Sequence, residues 1–191
     1  SIPVKTWFDN QKWSSLLKLD CDIYPTLIKE FFTNLSCDED TSPHTLACFV
    51  KGVLFTQTSS IINSILKISN DEYRVNPSVT LKPTQCYYLT SLHLLTNNPD
   101  LDHLVTVSRK DLSLELRLLH HIITHNIISH SDRFDAVTYD HIYLIWALTT
   151  GFPTDFGFLV IHCIKNAHKQ NNQALPYRMV FTKIFKNFKI D

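Results

Sequence analysis

Four of the chain's ten histidines fall within the eleven residues 120–130, HHIITHNIISH. His121 and His125 stand four apart, which on a helix sets two imidazoles on one side. Such a pair is half of a metal site or of an acid–base pair. The remaining half is missing from the sequence. A structural zinc needs four converging nitrogen or sulfur ligands in close pairs. The five cysteines (Cys21, Cys37, Cys48, Cys86, Cys163) contain no C-x-x-C, and Ile122 stands where a metalloprotease helix would carry its glutamate. No metal and no cofactor is therefore expected. Asp132, Asp135, Asp140 and Asp155 could in principle converge as two-metal carboxylates, but each is better read as a loop or cap residue. The stretch DTSP (40–43) lacks the glycine of an aspartic-protease loop. G-x-S-x-G, a Walker loop and a polymerase acidic pair are also absent. The expectation is no enzyme and no catalytic residue.

A second set of residues could touch phosphate. From Ile161 to Asp191 there are six bases (Lys165, Lys169, Arg178, Lys183, Lys186, Lys189) and one acid, whereas Asp20 to Asp40 holds six acids and one base. Over the whole chain 18 basic residues balance 18 acidic ones, so net charge selects no polyanionic partner. The basic end reads first as a solvated face and second as a candidate nucleic-acid contact. On a wheel of the last helix, Met179, Phe181, Ile184, Phe185 and Phe188 take one side and the lysines another, which is the pattern of packing.

These residues need elements to hold them. A chain of 191 residues suffices for one domain without metal or disulfide staples. YPTLIKEFFTNL (24–35) has apolar residues at helical spacing, with Pro25 suited to a first turn. HTLACFVKGVLFT (44–56) is β-branched and aromatic around Lys51-Gly52, which predicts a hairpin. Thr58 or Ser59 can cap a helix over 60–68. SNDEYRVNPSVTLKP (69–83) reads as a loop, and 84–96 as a helix. Ser108 is expected to cap one helix running from Arg109 to Ile128. Thr138 caps the next, which Gly151 stops. Thr154 or Asp155 starts another, and Pro176 opens the last. On a wheel Leu112, Leu116, Leu119, Ile123 and Ile127 share one face, while Leu114, Leu118 and Ile128 lie near the opposite one. That pattern predicts a central helix contacted on two sides. His120 would flank the first face, forming with His121 and His125 a candidate buried polar cluster. For His121 and His125 three readings stay open: half-buried and hydrogen-bonded, surface polar, or a pH-sensing or ligand role.

The fold class expected is mainly α, a multi-helix bundle-like domain with one short β-hairpin near residues 45–56. Residues 1–23 are expected to form an N-terminal extension packing on a single domain, 24–191. The spread, odd-numbered cysteines predict reduced thiols and an intracellular location, in cytoplasm or nucleus. No apolar run approaches the ~20 residues of a membrane span. The chain begins at Ser1 without methionine or signal peptide, and is expected to be a piece of a longer protein.

From the histidine-rich helix onward the sequence resembles the plant transposon protein domain family. The resemblance rests on LRLLHHIITHNIISHSDRFDAVTYDHIYLIWALTTG and FGFLVIHCIKNAHKQNNQALPYRMVFTKIFKNFKID. YPTLIKEFFTNL and FVKGVLFTQTSSIINSIL agree with it in order. It covers Tyr24 to Asp191 and extends to the envelope-like proteins of some plant retrotransposons. Members often follow the histidine helix with a Pro-Arg-Ser-Gly-type turn. Here Ser129-His130-Ser131 stands there, so no role of that turn carries over. The resemblance implies an origin in a mobile element, and no catalytic residue or cofactor. The function expected is a non-enzymatic protein-interaction or assembly module, with a protein partner or self-association. Nucleic-acid binding through the basic C-terminal helices is the alternative.

Overall fold

The computed structural model describes residues 3–19, 22–36, 45–69, 93, 95–96, 107–127, 135–169 and 177–190. Helix α1, Val4–Asn10, and a 3-10 turn, Ser14–Lys18, come first. They bury Phe8, Trp13 and Leu16 in the same core as the rest of the chain. Trp13 packs edge-on against Phe156 at 5.1 Å, and Gln11 Nε2 donates to the carbonyl of Ala147 at 2.9 Å. Helix α2, Pro25–Thr33, has proline in its first turn and buries Leu27, Ile28 and Phe31. Strands β1, Thr45–Val50, and β2, Val53–Thr58, pair antiparallel from Thr45 opposite Thr58 to Val50 opposite Val53. Lys51 (φ 45°) and Gly52 (φ 79°) make the two-residue turn, whose positive φ values match the strand twist. The Lys51 N–H donates to Glu30 Oε1 at 2.8 Å, which ties the turn to α2.

Thr58 Oγ1 accepts from Ile61 N and caps α3, Ser59–Ile65. Helix α4, Leu114–Ile122, is continued by a π turn over Ile123–Ile127. Helix α5, Tyr139–Thr150, begins at Thr138 and stops at Gly151 (φ 71°). Helices α6, Phe156–Lys169, and α7, Arg178–Asn187, complete the fold. Among the described residues the fold is mainly α with one hairpin, as the sequence patterns predict.

Two expectations need correction. Ser108 does not open a continuous helix; it caps only a 3-10 turn, Arg109–Asp111. Leu112 is then extended, and Ser113 Oγ caps α4 by accepting from Leu116 N. Two cap-type serines five residues apart each found a backbone N–H to accept from, so the chain starts twice. The central helix is also a different one. In α6 Phe158, Leu159, Val160, Ile161, Cys163, Ile164 and Ala167 are all buried. On α4 the face of Leu119 and Ile123 is buried, whereas Leu114 is 76% exposed. Of the predicted 84–96 helix, His93, Leu95 and Thr96 are described and are helical; the 69–83 loop, apart from Ser69, and Pro176 lie outside the described residues.

The helices meet closely where α3 crosses α6. Asn63, buried on α3, accepts from Gly157 N–H at 2.7 Å and donates to Asp155 Oδ1 at 2.8 Å. Asp155 Oδ1 also accepts from Phe158 N–H at 3.1 Å, so it starts α6 as expected. One asparagine thus holds the first turn of the central helix from outside. Across the core, Phe31 lies 4.5 Å from Phe181, and Phe55 stacks on Phe188 at 5.0 Å. The hairpin's inner face and α2 therefore close on α7.

Candidate functional site

The histidines divide according to the α4 face that carries them. Leu119 and Ile123 draw His120 inward, where it is fully buried. Its Nε2 lies 3.2 Å from His141 Nδ1 on α5. The Thr138 N–H donates to that same His141 nitrogen, also at 3.2 Å, while His141 N donates to Thr138 Oγ1. A nitrogen accepting from an amide carries a lone pair, so the proton between the rings belongs to His120 Nε2. His141 occupies the place usually held by Glu or Gln in a capping box. Burial, then the positive charge of Arg109, pushes the His120 pKa down to about 4. His120 is therefore neutral near pH 7, and the pair joins α4 to the start of α5. His141 was missing from the sequence-based cluster, although Thr-x-x-His at 138–141 was the signal for it.

His121 and His125 are exposed, so the expected buried cluster shrinks to His120. Adjacent positions on a helix differ by about 100°, so His120 and His121 belong to different sides. The π turn then brings the His121 and His125 rings to 3.9 Å. Thr124 Oγ1 donates to the carbonyls of His120 and His121, each at 3.0 Å. His125 Nδ1 stands 2.8 Å from the His121 carbonyl and donates to it. Partial desolvation, then charge repulsion from the His125 and Arg109 side chains, lowers the His121 pKa from its ordinary value. This is a surface pair with its backbone contacts satisfied locally. Among the described residues no three His, Cys, Asp or Glu side chains stand close enough to share a metal ion. Of the four aspartates, Asp155 caps α6, Asp140 lies in the first turn of α5, Asp135 is exposed and Asp132 lies outside the described residues.

The basic residues differ in their exposure. Lys165 is only 8% exposed, because it rides on the central helix, and cannot join an outer patch. Lys169, Lys186 and Lys189 are exposed and Lys183 is half-buried; the Arg178 side chain is outside the described set. Phe181 and Phe185 are fully buried, so they offer no base-stacking platform.

The hairpin presents a different kind of surface. Its strands alternate, sending Leu46, Cys48, Val50, Phe55 and Gln57 inward. Phe49 and Leu54 face each other across the ladder on the outer side, 49% and 73% exposed. By composition alone both residues stand only as hairpin residues. The alternation within ACFV and VLFT was the available signal.

Among the described residues no helix is long and apolar enough to cross a membrane. Comparison with curated proteins gives no match, and neither does comparison with solved structures. A family model described as "Putative plant retrotransposon-related domain" matches residues 9–191. That span takes in Trp13 and Leu16 of the N-terminal part of the core, helices α2 to α7 and the hairpin, and the chain belongs to this plant retrotransposon-related family.

Proposed function

We propose that the domain is a non-enzymatic protein-interaction or assembly module of a plant retrotransposon, or of a gene derived from one. The observation that carries this reading is the outward pair Phe49 and Leu54, two large apolar side chains side by side on a sheet face. Such area is costly in water and gains from a covering surface. The titratable groups support it as well. The buried histidine joins two helices, and Asp155 starts a third. The module works inside the cell, in cytoplasm or nucleus; the buried thiols of Cys48 and Cys163, neither of them in a disulfide, suit a reducing compartment.

A photo-crosslinking residue placed at Phe49, with a control at exposed Glu115, tests the reading in plant cells expressing the chain. It should trap one defined protein from Phe49 alone, either another chain of the element or a second copy. Equal or absent trapping from the two positions counts against it.

A second reading, nucleic-acid contact, rests on the exposed Lys186 and Lys189 beside Lys183 on α7. Salt-dependent binding of DNA or RNA that is lost in Lys183→Glu/Lys186→Glu supports it. No binding at low salt removes it.

A further inference from the structure

The hairpin has two edges, and they differ. Ala47 on β1 exchanges both main-chain bonds with Ser36, at 2.9 and 3.3 Å. The Phe49 carbonyl accepts from Asn34 Nδ2 at 2.8 Å. The main-chain groups of Ala47 and Phe49 thus point away from β2. In an antiparallel ladder, directly opposite residues point their N–H and C=O groups either both toward each other or both outward. Thr56 stands opposite Ala47 and Leu54 opposite Phe49. The main-chain groups of Leu54 and Thr56 must therefore point out along the far edge of β2. Both residues are exposed, and among the described residues no hydrogen bond reaches these groups from beyond the hairpin.

An open edge is usually guarded by charge, proline or a bulge. Strand β2 reads VLFTQT, with no charge and no proline, and its register runs without a bulge. We propose that this edge is a self-association site, where a second copy of the chain adds its own β2 antiparallel and the two hairpins join into a four-stranded sheet. The inference deepens the interaction reading and rests on it.

The edge is complementary to itself. With a two-fold axis beside Phe55, Leu54 of each copy lies opposite Thr56 of the other. The outward groups then form four main-chain hydrogen bonds. No like charges meet, since β2 is uncharged and the chain has 18 basic and 18 acidic residues. On the outer face each Leu54 gains the other copy's Thr56 as a neighbour, which extends the Phe49–Leu54 strip. The β1 edges are already occupied by Ser36 and Asn34. Addition therefore stops at two copies and gives a closed dimer, not a fibre. So short an edge buries less than the ~1,000 Å² of a stable interface, so the dimer is weak, with Kd on the order of 100 μM.

Sedimentation velocity over about 10 to about 500 μM tests this, spanning the expected Kd. The wild-type chain should pass from monomer to dimer. Leu54→Lys and Thr56→Lys should remain monomeric with unchanged circular dichroism. Leu114→Lys, which alters an exposed leucine off the hairpin, should still dimerise. Hydrogen exchange reads the edge without any substitution: the Leu54 and Thr56 amides should slow as concentration rises. A monomer throughout, association indifferent to the β2 variants, or growth beyond a dimer overturns the proposal. If the chain is monomeric but Phe49 traps a different protein, this inference falls and the interaction reading stands. If neither is seen, both fall.

Discussion

Replacing Gly157 by alanine sets two effects of opposite sign against each other. Alanine favours the helix by up to about 1 kcal/mol over glycine, and by less in a first turn. Against that, a Cβ at Gly157 would lie 2.2 Å from the Ser59 carbonyl oxygen and 2.9 Å from Asn63 Oδ1, where ordinary contact begins near 3.4 Å. Helices α3 and α6 would have to separate by about 1 Å. Overpacking of this kind costs about 1–3 kcal/mol. Separation also stretches the 2.7 Å bond from Gly157 N–H to Asn63, and a buried unsatisfied amide costs about 1–3 kcal/mol more. The clash wins, and the net loss should be about 2–4 kcal/mol. In a chain of this size that lowers Tm by roughly 5–15 °C. Urea unfolding of Gly157→Ala, Asn63→Ala and the double variant measures it. Because Gly157→Ala already disturbs the Asn63 bond, the double variant should lose less than the sum of the two. A neutral or stabilising Gly157→Ala, or strict additivity, would refute the close crossing.

Three further outcomes follow from other residues. His120 is neutral in the fold, with its pKa lowered from 6.5 to about 4. The unfolded chain therefore binds the extra proton in that window. Stability should be full above about pH 6.5 and fall by about 2 kcal/mol between pH 7 and pH 5, read as a drop in urea midpoint that His120→Asn flattens. Burial, then the Asp140 charge, pushes the Cys163 thiol up to about 12. Native protein should accordingly leave Cys163 unreacted with a thiol reagent on the timescale of global unfolding, and mass mapping of labelled peptides checks this. Thr138→Ala removes the acceptor for His141 N–H at the start of α5. It should cost about 1 kcal/mol by chemical denaturation; no loss would mean that the cap contributes nothing.

Local rules placed most elements, because each depends on near neighbours. Proline in the first turn of α2, Lys51-Gly52 between apolar runs, Thr138 before its helix and Gly151 after it all act within a few residues. The same rules misread α4. Ser108 and Ser113 are both competent caps, and their order is decided by the bridge of Ser108 to Ala136 and by Leu112 turning into the core. Periodicity also made α4 seem central, since two apolar stripes on a wheel do not say which of them meets a neighbour. Leu114 meets water, and the centre went to α6.

The sequence by itself determined the mainly helical class, the hairpin and the family, since all three are written in patterns along the chain. Its histidine spacing also correctly set His121 and His125 on one side of a helix. Only the tertiary structure decided what those side chains face. It paired His120 with His141 across 21 positions, buried Lys165 on the central helix, and left the β2 edge open while Ser36 closed the other. Exposure depends on which element packs against which, and spacing within one element carries no record of that.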